Sequence, residues 1–278
     1  MPIPIYQVDA FASALFRGNP AAVCPLAVPL PDALQQSIAL ENQLSETAFL
    51  LAAADGTPAV PSYRLRWFTP AAEVSLCGHA TLAAGHVVLT ELAPGARAVR
   101  FATASGELSV ARAGATGSYA LGLPARPGRE LSPGSDFVER LAAALGVRPR
   151  AVRDTGGDLY ALLGSEREVR ELLPDFRALA ALFPLGRDGI GVGAPGDEVD
   201  VVSRFFAPAL GIDEDPVTGS AHATWVPWFA ERTGRARLSC RQLSRRGGEL
   251  VGALAGDRVI LEGRCVTYLR GTIEVDRP

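Results

Sequence analysis

The twelve residues RWFTPAAEVSLC, Arg66–Cys77, return as RFFAPALGIDED, Arg204–Asp215. The two align without a gap, at an offset of 138, about half of the 278-residue chain. Arg66 falls on Arg204, Phe68 on Phe206, Pro70 on Pro208 and Cys77 on Asp215. Further along, SGELSV (Ser105–Val110) resembles GGELVG (Gly247–Gly252). A single α+β domain with recurring turn chemistry could give scattered matches. An offset of half the length favours duplication of one supersecondary unit.

Each copy runs into an apolar helix. After Cys77 comes ATLAAGHVVL, apolar nearly all round, and such a helix is buried on every side. The second copy leads into HATWVPWFA, where Pro227 should kink the helix. In a half-chain of this size, strands must wrap the helix. The expected fold class is α+β, with two pseudo-symmetric domains, each a mostly antiparallel sheet or barrel rolled around a central helix. The expected division is 1–127 and 128–278, in the Pro- and Gly-rich stretch Pro124–Asp136, with a cleft between the lobes.

The pattern predicts helices over Asp32–Asn42, Gly78–Leu92, Asp136–Leu145, Arg167–Leu173 and Thr218–Arg232, with strands between them. Pro31 should start the first and Gly146 stop the third. A strand is expected near Gly189–Val192, although GIGVGAPGDE, glycine-rich with no helix after it, reads as a loop.

Composition narrows the function. Hydrophobic residues are 48%, enough for a real core, and the net charge of −3 gives no general attraction to nucleic acid or anionic membrane. No run reaches 18 apolar residues, and MPIPIYQVDAF is not built as a signal peptide. Four scattered cysteines without a C-x-x-C pair fit a reduced, cytoplasmic protein.

The candidate chemistry gathers at the helix starts. Free N–H groups and the positive end of the dipole suit a carboxylate there. Gly78 and Gly219 allow close approach of a ligand, and Ser220 and Thr218 add hydroxyls. Cys77 reads either as a reactive thiol or as a small buried residue. His79 could move a proton or merely pack, and Asp215 could act as an ionised partner or a helix cap. Glu46 in ENQLSETAFL and Asn19 in FRGNPAAVC are open in the same way, as ligand groups or as turn residues. His86 reads as a core histidine. A zinc site from Cys77, His79 and His222 lacks the H-x₃₋₅-H spacing and is disfavoured.

Four ordered stretches, VDAFASALFRGNPAAVC, ENQLSETAFL, RWFTPAAEVSLCGHATLA and DEDPVTGSAH, together resemble the PhzF-type phenazine-biosynthesis family, within the diaminopimelate-epimerase-like superfamily. The resemblance implies a cofactor-independent, metal-free isomerase, commonly a homodimer, acting on a small carboxylated substrate. By motif position it implies Glu46 as the acid/base group, with His79 and Asp215 beside it. Ser220, Gly78, Gly219, Asn19 and Cys77 would bind substrate. Related epimerases use two cysteines. Here Asp215 stands where the second would fall, which disfavours plain two-thiol racemisation.

Overall fold

The computed structural model describes residues 1–114, 117–182 and 189–276, and they form two compact units. The first comprises Met1–Leu123 with the segment from Ile260 onward, and the second Pro124–Val259. The chain's last segment thus packs with the first unit, whereas the sequence reading assigned it to the second lobe.

In the first unit the elements are β1 (Pro2–Ala10), β2 (Asn19–Leu26), α1 (Asp32–Asn42), β3 (Glu46–Ala52), β4 (Ser62–Phe68), β5 (Glu73–Val74), α2 (Gly78–Val87), β6 (Ala98–Thr103), β7 (Gly106–Ala113) and β8 (Ser118–Pro124). The second unit has β9 (Arg129–Glu130), α3 (Asp136–Leu145), β10 (Ala151–Asp154), β11 (Leu159–Leu162), α4 (Glu166–Arg170), α5 (Phe176–Leu182), β12 (Ile190–Pro195), β13 (Val201–Ala207), β14 (Ile212–Asp215), α6 (His222–Thr233), β15 (Arg237–Gln242) and β16 (Gly248–Ala255). A long strand, β17 (Arg258–Glu274), ends the described chain.

The pairings repeat. Antiparallel β1–β2, parallel β2–β3, antiparallel β3–β4 and β4–β5, parallel β4–β6 and antiparallel β6–β7 make the first series. The second runs in the same order through β10–β11, β11–β12, β12–β13, β13–β14, β13–β15 and β15–β16. In the first unit β8 continues from β7 and pairs with β17, which pairs back with β1, so the strands close into a ring.

All ten residues of α2 are buried inside that ring. Its small side chains let the sheet come close. A Cβ on Gly85 would sit 2.4 Å from Val110 Cγ1 on β7. In the second unit the small residue has moved to the strand, and a Cβ on Gly252 of β16 would meet Val226 of α6 at 2.2 Å. Val110 and Gly252 are the equivalent positions of the ELSV and ELVG matches. Each unit therefore fits a valine against a glycine with the roles exchanged.

The repeated arginines also recur in three dimensions. Arg66 grips both carboxylate oxygens of Glu73 at 2.7 Å and lies over Phe68. Arg204 grips Glu214 at 2.7 and 3.0 Å and lies over Phe206. The planar guanidinium fork is what such a bidentate, stacked position selects.

Some sequence expectations shift. Helix α1, α3 and the Gly146 stop, with its left-handed φ of 71°, lie where expected. Helix α2 ends at Val87 and passes into a π-turn at Val88–Leu92, whose neighbourhood is tied by Arg112 to the carbonyls of Leu89, Pro94 and Ala96. The Arg167–Leu173 helix shortens to α4, capped by Ser165, and α5 follows unforeseen after Pro174. The strand expected near Gly189–Val192 is β12, which runs on to Pro195 through residues that read as loop. A Cβ on Gly191 would strike Tyr160 at 2.7 Å, and one on Gly193 would strike Trp225 at 2.9 Å, so these glycines make room for the two rings. Helix α6 runs through Pro227, and the Ala223 carbonyl that this proline cannot bond accepts from Arg126 N at 2.8 Å.

Candidate functional site

In the first unit, parallel strands β2 and β3 start side by side, with Ala21 opposite Glu46. This register sets Asn19 and Glu46 at one end of the sheet, where α2 begins. Gly18 has φ 65°, and a Cβ there would lie 2.1 Å from the Ala10 carbonyl oxygen, so only glycine turns the chain into Asn19. Upstream, the buried Asp9 accepts from Phe16 N–H at 2.9 Å and holds that residue in its left-handed conformation. Cys77 precedes α2 in extended backbone, and its carbonyl accepts the first helical bond from Thr81 N–H.

Four of the sequence-predicted residues come together here: Asn19, Glu46, Cys77 and His79. The Asn19 amide nitrogen is 3.2 Å from His79 Nδ1, and Cys77 Sγ is 3.5 Å from the same nitrogen. Ser45 Oγ donates to Asn19 Oδ1 at 3.1 Å. On the other side of the ring, His79 Nε2 is 3.0 Å from Glu46 Oε2. With the ring protonated the two form a buried ion pair, and neither atom has a further partner among the described residues. His79 is 4% exposed.

The electrostatics follow from burial and proximity. Burial, reinforced by the charge of Glu46, pushes the Cys77 thiol up to about 11, so it is a protonated thiol at neutral pH. Burial works against a charged His79, but Cys77 and Glu46 together outweigh it and hold His79 well above the usual histidine range. This mouth therefore keeps a proton on the ring beside a carboxylate. The lower end of α2 is different. There His86 lies buried between the Tyr119 hydroxyl at 2.9 Å and the Thr267 hydroxyl at 2.8 Å, and burial lowers it to about 4. It is the core histidine that the sequence suggested.

In the second unit, Asp215 closes β14, and the chain turns through Thr218, Gly219 and Ser220 into α6. The helix starts at His222 rather than Thr218, because N–H groups of residues 221–223 bond back only three positions in a tighter turn. Thr218 Oγ1 donates to Asp215 Oδ2. Gln242 on β15, fully buried, accepts from Thr218 N at 2.9 Å and donates to the Asp215 carbonyl at 2.8 Å. His222 Nδ1 is 3.0 Å from the Thr218 carbonyl, and burial lowers His222 to about 4, so it is neutral. The turn is thus fastened from both sides, with Gly219 and Ser220 at its apex.

Sequence reasoning missed two residues. Ser45 precedes Glu46 in SETAF and anchors Asn19, a signal available only from adjacency. Gln242 carries no motif, and only its strand register brings it under Asp215. The reading also missed that His79-Ala80-Thr81 returns as His222-Ala223-Thr224. The second copy lies beyond the 138 offset, because extra turn residues precede α6. The four cysteines are free and buried, and no helix among the described residues is long and apolar enough to cross a membrane.

Comparison with known proteins agrees with this architecture. The PhzC-PhzF family model, described as phenazine biosynthesis-like protein, matches residues 8–271. A Pseudomonas aeruginosa protein named as an uncharacterised isomerase is 45% identical over 275 residues, covering 99% of this chain and 100% of the relative. A PhzF-family crystal structure from Enterococcus faecalis superposes with a TM-score of 0.89 at 41% identity, over 99% of this chain and 100% of that one. A hydroxyproline epimerase from Agrobacterium vitis, 14% identical, shares the fold with a TM-score of 0.65 over 100% of this chain and 94% of that chain.

Proposed function

The chain belongs to the PhzC-PhzF family of phenazine biosynthesis-like proteins, and from that premise we propose a cofactor-independent isomerase that moves a proton between carbons of a small carboxylated metabolite. Relatives named as isomerases support the reaction class. The observation that carries the mechanism is the buried pair Glu46 Oε2 and His79 Nε2, 3.0 Å apart and with no third partner among the described residues.

Glu46 takes a proton from one substrate carbon and returns it, or a solvent proton, to another. His79, whose ring is held by Asn19 and Cys77, supplies or withdraws a proton at a substrate oxygen or nitrogen as charge develops. Each well-placed acid/base group contributes about 10²–10⁴-fold. To Asp215 and the Gly219–Ser220 turn we assign the binding of the substrate's carboxylate and polar groups. Fastening by Gln242 supports a preorganised rather than a mobile role for that turn.

A cysteine-dependent epimerase is the second reading. The protonated state of Cys77 disfavours it, since an acid/base thiol must also serve as a thiolate. Incubation with cyclic and amino-acid carboxylates in D₂O, followed by NMR, tests the choice. The proposal expects deuterium at a substrate carbon with the wild type and with Cys77→Ala. Loss of exchange in Cys77→Ala, or on alkylation by iodoacetamide of the thiol alone, favours the epimerase instead.

A further inference from the structure

Three chemically different donor atoms converge where α2 begins. Glu46, Cys77 and His79 offer a carboxylate oxygen, a thiol sulfur and a ring nitrogen that all lie within 4.8 Å of one another. Oε2 of Glu46 and Nε2 of His79 stand 3.0 Å apart, buried and with no third partner among the described residues. Bond lengths in a tetrahedral zinc site, about 2.0–2.3 Å, place neighbouring ligand atoms roughly 3.3–3.6 Å apart. The imidazole and the carboxylate are therefore already near ligand spacing. Cys77 Sγ, 3.5 Å from Nδ1, has to turn toward Nε2 to complete the set.

The surroundings complete the arrangement. A cation on Nε2 needs the ring proton on Nδ1, and that proton needs an acceptor. Nδ1 faces the Asn19 amide at 3.2 Å. A half-turn of the amide presents Oδ1 to the ring N–H and the NH₂ group to Ser45 Oγ. The hydroxyl donates in one orientation and accepts in the other, so Asn19 stays satisfied in both. Sequence spacing hides this site. It lacks a two-histidine helix motif, and its third ligand arrives from β3, thirty-one residues before Cys77.

We propose that Glu46, Cys77 and His79 form a binding site for a soft or borderline divalent cation, zinc(II) or cadmium(II), which inhibits the protein by occupying its acid/base pair. On binding, the Cys77 S–H and His79 Nε2–H bonds break, sulfur–metal and nitrogen–metal bonds form, and both protons leave to solvent, while the Glu46 carboxylate binds as it stands. No electrons are transferred. Mixed sulfur, nitrogen and oxygen donors select these cations over magnesium or calcium, which require oxygen ligands.

The test needs no substrate, so its failure is separable from failure of the isomerase reading. Metal-free full-length protein is titrated with cadmium chloride, and the thiolate-to-cadmium charge-transfer absorbance is followed. A band saturating at one equivalent is expected in the wild type. It should be absent in Cys77→Ser and Cys77→Ala, although Cys24, Cys240 and Cys265 remain in both. Glu46→Gln and His79→Gln should bind at least about 10-fold more weakly, and Asn19→Leu about 10-fold more weakly through loss of the ring's partner. On the wild type alone, zinc should displace cadmium and magnesium should not, which keeps the test valid if a variant misfolds. No saturable band, a band surviving in a folded Cys77 variant, unchanged affinity in Glu46→Gln, or displacement by magnesium overturns the proposal.

Discussion

At the mouth of α2, Glu46 and His79 face each other at 3.0 Å, and neither facing atom has a third partner among the described residues. At the mouth of α6, which holds the equivalent place in the repeat, Asp215 is held by Thr218, and Thr218 by Gln242. The histidines diverge as well. Partner groups hold His79 well above its usual range, whereas burial drives His222 to about 4. His222 Nε2 is also unpartnered, but no ionised side chain raises its ring, so it is a neutral, inert group. One ancestral device, a strand leading to a buried helix, has been specialised in opposite directions. The first copy faces its histidine with a carboxylate, and the second leaves its histidine neutral.

Exchanging the histidines' fates should break this comparison most visibly. His79→Gln is expected to lower turnover about 10²–10⁴-fold with the fold intact, while His222→Gln stays within about tenfold of wild type. Steady-state kinetics on whichever carboxylate shows exchange, with circular dichroism as the folding control, measures both. Equal losses in the two variants would erase the distinction between the mouths.

Acid should sharpen it. His222 titrates near 4 when folded and near 6.5 when unfolded, so between those values the unfolded chain binds a proton that the folded one refuses. Stability should fall by up to about 3 kcal/mol as pH drops from about 6.5 to about 4, and His222→Gln should remove that component. For His79 the sign is reversed. Its stabilisation is complete below about 6.5 and is lost as pH climbs through its raised folded value. Urea titrations across pH, on wild type and each variant, resolve the two slopes.

The exchanged valine–glycine contacts give a smaller effect. Gly85→Ala and Gly252→Ala should each cost about 1–3 kcal/mol, because the added methyl meets Val110 in one unit and Val226 in the other. Pairing Gly85→Ala with Val110→Ala should recover part of the loss, as should Gly252→Ala with Val226→Ala, and thermal unfolding would show it. The smallest difference is expected between the repeated arginines. Arg66 is the more exposed and should cost under about 1 kcal/mol on truncation to alanine. Arg204, which also bonds the carbonyls of Val169 and Leu172, should cost about 1–3 kcal/mol.

Much of this architecture was legible in one dimension because the duplication left its charged and aromatic landmarks in register. Arg66, Phe68 and Pro70 have in-register counterparts, and helices α1 and α3 carry their own start or stop signals. What the sequence hid depends on packing across strands. The later part of β12 read as loop because the ring that Gly193 makes room for, Trp225, lies 32 residues away. The C-terminal strand joins the first unit through pairing with β1, which no local pattern announces. At the candidate site, motif position pointed to Glu46, His79, Cys77 and Asn19. Only the folded arrangement shows that burial and the Glu46 charge keep the thiol protonated and that the carboxylate and imidazole face each other at 3.0 Å. Gln242 was invisible, since a buried glutamine at the end of a strand looks like any polar strand residue.

The most direct measurement compares wild type with Glu46→Gln for carbon-bound deuterium incorporation from D₂O into a turned-over carboxylate, both proteins being verified as folded. The account predicts incorporation by the wild type and a rate lower by at least about 10²-fold in the variant, since an amide cannot accept and return the proton. Incorporation at the wild-type rate in Glu46→Gln would contradict it.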